Sequence, residues 1–147
     1  MAVIKVGDLS FKLFHVPGLH TRSNLTIFVP ELGLLFTRRQ FHHDDLPALE
    51  PGVDMGKLIG SLEAVLAEGI PVKHIMVGHG NPVRDPDLTV PLAYLKALRD
   101  AVAEAHRKGA PREDAAQFFD AKPFSKQIRN HTAVHASNLK ILGDAPR

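Results

Sequence analysis

The sequence predicts an α/β fold, a mostly antiparallel sheet with helices packed on it. Three observations predict this. The first quarter of the chain alternates with the period of two that suits strands. The middle and end repeat apolar residues at helical spacing, and one short β-branched run lies between two of the helical stretches. No internal repeat, low-complexity tract or long linker divides the 147 residues, so residues 1–147 form a single domain.

The elements follow in order. "AVIKV" and "LSFKLFHV" are strands separated by Gly7-Asp8, a hairpin signal. "NLTIFV" and "LLFT" form a second pair, joined through Pro30-Glu31-Leu32-Gly33. Leu58, Leu62, Val65 and Leu66 then recur at helical spacing, with Asp54 as N-cap and Gly69 as the terminating glycine. "KHIMV" reads as a short buried strand, and "GHGNPVRDPD" as the loop that leaves it and turns into the next helix. That helix runs from about Leu88 to Lys108, with Leu92, Leu95 and Leu98 on its apolar side. A short helix through "REDAAQFF" and a last helix from about Ser125 to Leu142 complete the chain.

Composition excludes several classes. Apolar content of 44%, charged content of 23% and a formal charge of +2 are those of an ordinary globular protein. The basic residues are scattered and aromatics are few, so no nucleic-acid stripe is present. No apolar run approaches a membrane span, and the start "MAVIKVGDLSF" lacks the pattern of a signal peptide. A cytoplasmic protein without membrane or nucleic-acid partners is expected. The chain has no cysteine, which removes disulfides, thiol nucleophiles and cysteine-ligated zinc. No serine sits in a Gly-x-Ser-x-Gly turn, and no glycine-rich phosphate or dinucleotide loop exists.

"HVPGLHTRSNLTIFVPELGLLFT", followed further on by "IMVGHG", resembles the carboxyl half of metallo-β-lactamase-fold hydrolases. In that family a Gly-His-Thr loop precedes a hairpin ending in Leu-Phe-Thr-Gly-Asp, and a later strand ends in Gly-His-Gly. The long helix and the terminal "ASNLK" look similar too. The resemblance implies half of an αββα sandwich. It implies that His20 and His79 match two metal-binding histidines, each following a strand, and that a metal-activated water attacks the substrate.

The departures are as specific as the matches. Nothing here matches the family's His-x-His-x-Asp-His, and Arg38-Arg39 stands where Gly-Asp should follow Leu-Phe-Thr. A guanidinium cannot donate a lone pair and is repelled by a dication. The adjacent His42, His43, Asp44 and Asp45 offer replacements. With His20 and His79, the imidazoles of His42 and His43 would complete a mononuclear site, zinc being the expected metal. Asp44 or Asp45 would then serve as general base. "RRQFHHDD" also reads as a solvated loop, since loops are commonly charged.

The other histidines have simpler readings. His131 and His135 lie four apart on the expected last helix and are explained by packing between helices. His15 either supports His20 or ends its strand, and His74 and His106 belong to the surface. "RDPD" at Arg84 to Asp87 lacks the pattern of a calcium loop and reads as a turn.

Two functions remain. One is a reduced metal-dependent hydrolase of small esters or lactones, of the acyl-homoserine-lactone kind. The other is a non-catalytic half-fold acting in binding or assembly. A half sandwich must also cover its second sheet face. Leu9, Phe11 and Leu13 fall on one face of their strand, and Ile27, Val29, Leu35 and Ile75 add apolar surface. The C-terminal helix covers part of that second face or a homodimer does, and a homodimer is expected.

Overall fold

The computed structural model describes residues 1–16, 24–37, 46–69, 71–77 and 82–144. Among these, six strands form one sheet whose spatial order is the order of the chain. They are β1 (Ala2–Val6), β2 (Leu9–Val16), β3 (Asn24–Val29), β4 (Leu34–Phe36), β5 (His74–Met76) and β6 (Val83–Arg84). Every neighbouring pair is antiparallel except β4 and β5, which run parallel. The crossover between them carries helix α1 (Met55–Leu66).

Both expected hairpins form. Gly7 turns β1 into β2 with a positive φ. The second turn is tighter: Pro30–Leu32 make one turn of 3-10 helix, and Gly33 closes it at φ 59° by donating to the Pro30 carbonyl. The Gly33 carbonyl then accepts from the backbone N–H groups of Lys73 (2.8 Å) and His74 (3.1 Å), which brings β5 alongside β4. A side chain at residue 33 would collide with the Pro71 carbonyl oxygen, so the pairing needs glycine there.

Register decides which residues share a face. Phe14 lies opposite Thr26, and Phe28, Leu35 and Ile75 form one row across three strands. That face is buried under Leu58, Ile59, Leu62 and Val65 of α1 and Leu92, Leu95 and Leu98 of α2 (Thr89–Arg107). Asp54 caps α1 by accepting from the Lys57 N–H at 3.0 Å, as its position predicts. That hydrogen bond holds its exposed carboxyl below the ordinary range. Lys12, on the same face as Phe14, is ion-paired with Glu68 just beyond α1.

Leu9, Phe11 and Leu13 share a face, and it is the second one, turned away from the helices. None of the three belongs to the core cluster or packs against it. Phe14 is the β2 residue that enters the core.

The C-terminal third corrects the expectation of one last helix. After a 3-10 run at Arg112–Phe118 and a 3-10 turn at Lys122–Phe124, the chain forms α3 (Ser125–Asn130) and α4 (Thr132–Asp144). His131, at φ −134° and ψ 44°, breaks them apart while its N–H still closes α3 on Gln127 and Ile128. Asn130, His131 and Thr132 all have modest helix propensity, so nothing local resists the break. "REDAAQFF" is likewise 3-10 rather than α-helical. Nor does α4 cover the second sheet face. Leu142 is buried in the helix-side core, and Val134, Leu139 and Ile141 pack against it. The two-residue strand β6 was read as part of a turn.

Candidate functional site

Histidines 20, 42, 43 and 79 and aspartates 44 and 45 all lie outside the described residues, as do Arg38 and Arg39. The described strand ends that hold these segments are well defined. β2 ends at Val16, paired with Asn24 at the start of β3. β4 and β5 run parallel, so Phe36 pairs with Met76 and the Thr37 N–H donates to the Met76 carbonyl at 2.9 Å. With β3 antiparallel to both β2 and β4, the last residues of β2, β4 and β5 all sit at one end of the sheet.

From Val16 to Met76 is three strand spacings across the sheet and three residues along it, about 17 Å in all. His20 is four residues beyond Val16, and His79 is three beyond Met76. Extended chain reaches about 3.3 Å per residue, so the two tethers are together longer than the gap.

Two described features mark the same end. The Thr37 hydroxyl is buried, its residue only 5% exposed, and has no hydrogen-bond partner among the described residues. An orphaned buried hydroxyl is rare enough to require an explanation. On the helix-covered side an open groove of about 690 Å³ runs between β2 and α1 and includes Phe14, His15, Lys57, Ser61 and Glu68. The Ser61 Oγ donates to the His15 carbonyl at 3.1 Å, fixing helix to strand where β2 nears its end.

A buried polar network fixes residues 46–49. The Leu49 N–H donates to Asn138 Oδ1 at 2.9 Å, and Asn138 Nδ2 donates to the Pro47 carbonyl at 2.8 Å. The same Nδ2 reaches Tyr94 Oη at 3.2 Å, and Tyr94 Oη lies 2.9 Å from His135 Nδ1. With Tyr94 accepting from Asn138, its own proton goes to His135, whose remaining ring proton is then on Nε2. Burial pushes the Tyr94 phenol up to about 12 and pushes His135 below its usual value. Phe119 and Phe124 meet the Tyr94 ring edge-on, with centroids 5.7 and 5.5 Å away.

This network was missed in the sequence. Its available signal was an asparagine inside a helix, where asparagine is a poor former unless its amide is used. His135 belongs to this network, and His131 sits at the break before α4, so they are not a metal-binding pair on one helix. His15 and His106 are exposed, while His74 is half-buried within β5. Among the described residues no three His, Cys, Asp or Glu side chains stand close enough to hold a metal ion. No helix among them is long and apolar enough to cross a membrane.

No family model and no curated protein matches the chain. Solved structures do. The stereoselective inverting sec-alkylsulfatase Pisa1 from Pseudomonas sp. superposes with a TM-score of 0.64 at 16% identity, covering 97% of this chain and 25% of its own. A metallo-beta-lactamase from Pontibacter korlensis gives 0.49 at 16% identity, covering 65% and 45%. A beta-lactamase domain protein from Burkholderia ambifaria gives 0.48 at 15%, covering 97% and 43%. The chain spans a quarter to a half of the length of these proteins. The likeness is one of fold: a sheet and its helices, forming part of the metallo-β-lactamase fold.

Proposed function

We propose that the chain is a reduced metal-dependent hydrolase of small esters or lactones. The observation that carries this reading is the convergence of strand ends. The described strands that precede positions 20, 42 to 45 and 79 in the sequence end at the same end of one sheet, which supports this reading. The donor set suits a divalent cation of the zinc type, with imidazoles at positions 20, 42, 43 and 79 and carboxylates at 44 and 45. A metal held there would supply Lewis acidity to the attacking water and to the carbonyl oxygen. Asp44 or Asp45 would accept the proton that the water loses. The orphaned Thr37 hydroxyl, buried at the same end, is available to orient a group in the adjoining segments.

An activated carbonyl demands less of such a site than a phosphodiester, hence the ester or lactone substrate. The reading carries a small-molecule substrate and action in the cytoplasm. A second reading, a non-catalytic module acting in assembly, is favoured by the bare apolar sheet face.

The test is metal content and turnover of protein purified without a histidine tag. Near-stoichiometric zinc, lost in His79→Ala together with hydrolysis of an acyl lactone, is the expected result. An alkyl sulfate belongs in the substrate panel because the sulfatase neighbour acts on that ester class. Thr37→Val should fold normally yet hydrolyse more slowly. Protein that binds no metal above background and turns over no ester would end the hydrolase reading and leave the module.

A further inference from the structure

Among the described residues helices cover one face of the sheet only, and the other face is the more apolar of the two. Away from the helices, Ala2, Leu13, Ile27, Phe36 and Met76 are paired in a single row that crosses five strands without a polar residue. None of them belongs to the core cluster or packs against it. On the same face Ile4 is 52% exposed, Val6 60%, Leu25 51% and Phe36 37%. Polar residues on this face lie to the side of that row. His15 pairs with Leu25, and His74 stands between Leu34 and Arg84. An apolar centre with polar groups beside it is the anatomy of a protein interface.

We propose that this face is a homodimer interface, in which two copies of the chain pack sheet against sheet about a twofold axis. The face is a slab rather than a pocket, and what fits a slab at the roughly 10 Å spacing of packed sheets is another slab. Five strands at about 4.8 Å by five residues at about 3.3 Å give roughly 400 Å² in plan. Side-chain relief raises the accessible area toward the ~800 Å² per partner of a stable pair. A twofold axis sets the row from Ala2 to Met76 against its own copy, so no unlike chemistry has to be matched. At a formal charge of +2 the copies repel only weakly.

The interface is independent of the hydrolase reading and is tested without metal or substrate. Sedimentation of the full chain at micromolar concentration should give twice the monomer mass of 16.1 kDa. Ile27→Lys should weaken the dimer by at least about 100-fold, a central hot-spot effect, while Ile27→Leu restores it. Should Ile27→Lys fail to fold by circular dichroism, Val6→Lys and Phe36→Lys at already exposed positions serve instead. A wild-type monomer, open-ended oligomers, or a dimer indifferent to all three lysines would each overturn the proposal. A stable one-to-one complex with a different protein and no self-association would also overturn it.

Discussion

Replacing Asn138 with alanine should cost the fold about 3–5 kcal/mol, the sum of one orphaned donor, one orphaned acceptor and a lost amide contact. Asn138 is 1% exposed and makes three hydrogen bonds, to the Leu49 N–H, the Pro47 carbonyl and Tyr94 Oη. Leu49 and Pro47 are themselves buried, so water does not readily replace the amide. Each group left unpaired costs about 1–3 kcal/mol, against a total stability of about 5–15 kcal/mol. For a chain of this length the melting temperature should fall by about 10–15 °C. Urea unfolding followed by far-ultraviolet circular dichroism reads the loss. Asn138→Asp should be as damaging, because it keeps the acceptor for Leu49 but loses both donated bonds and buries a charge. Lys140→Ala, exposed on the same helix, should stay within about 0.5 kcal/mol. An Asn138→Ala variant within about 1 kcal/mol of wild type would refute the idea that this amide pins residues 46–49.

Gly33→Ala should destabilise by about 2–3 kcal/mol, since φ is 59° and the new Cβ would lie 2.9 Å from a fixed backbone oxygen. Gly7→Ala, also at positive φ but with nothing within 4 Å, should lose only about 1 kcal/mol in the same urea titration. Burial lowers the folded-state pKa of His135 from 6.5, so the unfolded chain takes up its proton first as pH falls. Stability should therefore be full above pH 6.5 and decline below it, and His135→Gln should flatten that slope; parallel slopes would contradict the assignment. Tyr94 is the chain's single tyrosine and there is no tryptophan, so phenolate absorbance reports it alone. Its midpoint should lie near 12, or coincide with alkaline unfolding, because stability falls once the unfolded phenol ionises above 10. A midpoint near 10 in folded protein would count against the buried hub.

The hairpins were legible because their information is local: alternation in "AVIKV" and "LSFKLFHV" and the turn at Gly7 fix both strands. Helix α1 was legible for the same reason, through Asp54 and the leucine spacing. Which sheet face the helices choose was not legible, because the face of β2 they cover carries Ser10 and Lys12 beside Phe14, while Leu9, Phe11 and Leu13 make the other face the more apolar one. Only the pairing of Lys12 with Glu68 and the burial of Phe14 settle the side. The break at His131 leaves no strong local mark, since Asn130, His131 and Thr132 neither forbid nor demand a helix. The candidate site was read from residue types and strand order. The hairpins it relies on form, while the ligating residues themselves lie outside the described residues.

Because the strands are arranged in the order of the chain, the sheet has a natural direction of assembly. β1 to β4 pair only with neighbours in sequence, so each closure spans a short loop and can occur while the polypeptide is still being made. The parallel joint between β4 and β5 must wait for the whole crossover and for α1. Until then neither face of the β1 to β4 meander would have its helices. The nascent chain is then at its stickiest, and early engagement of a partner would shield it sooner than its own helices do.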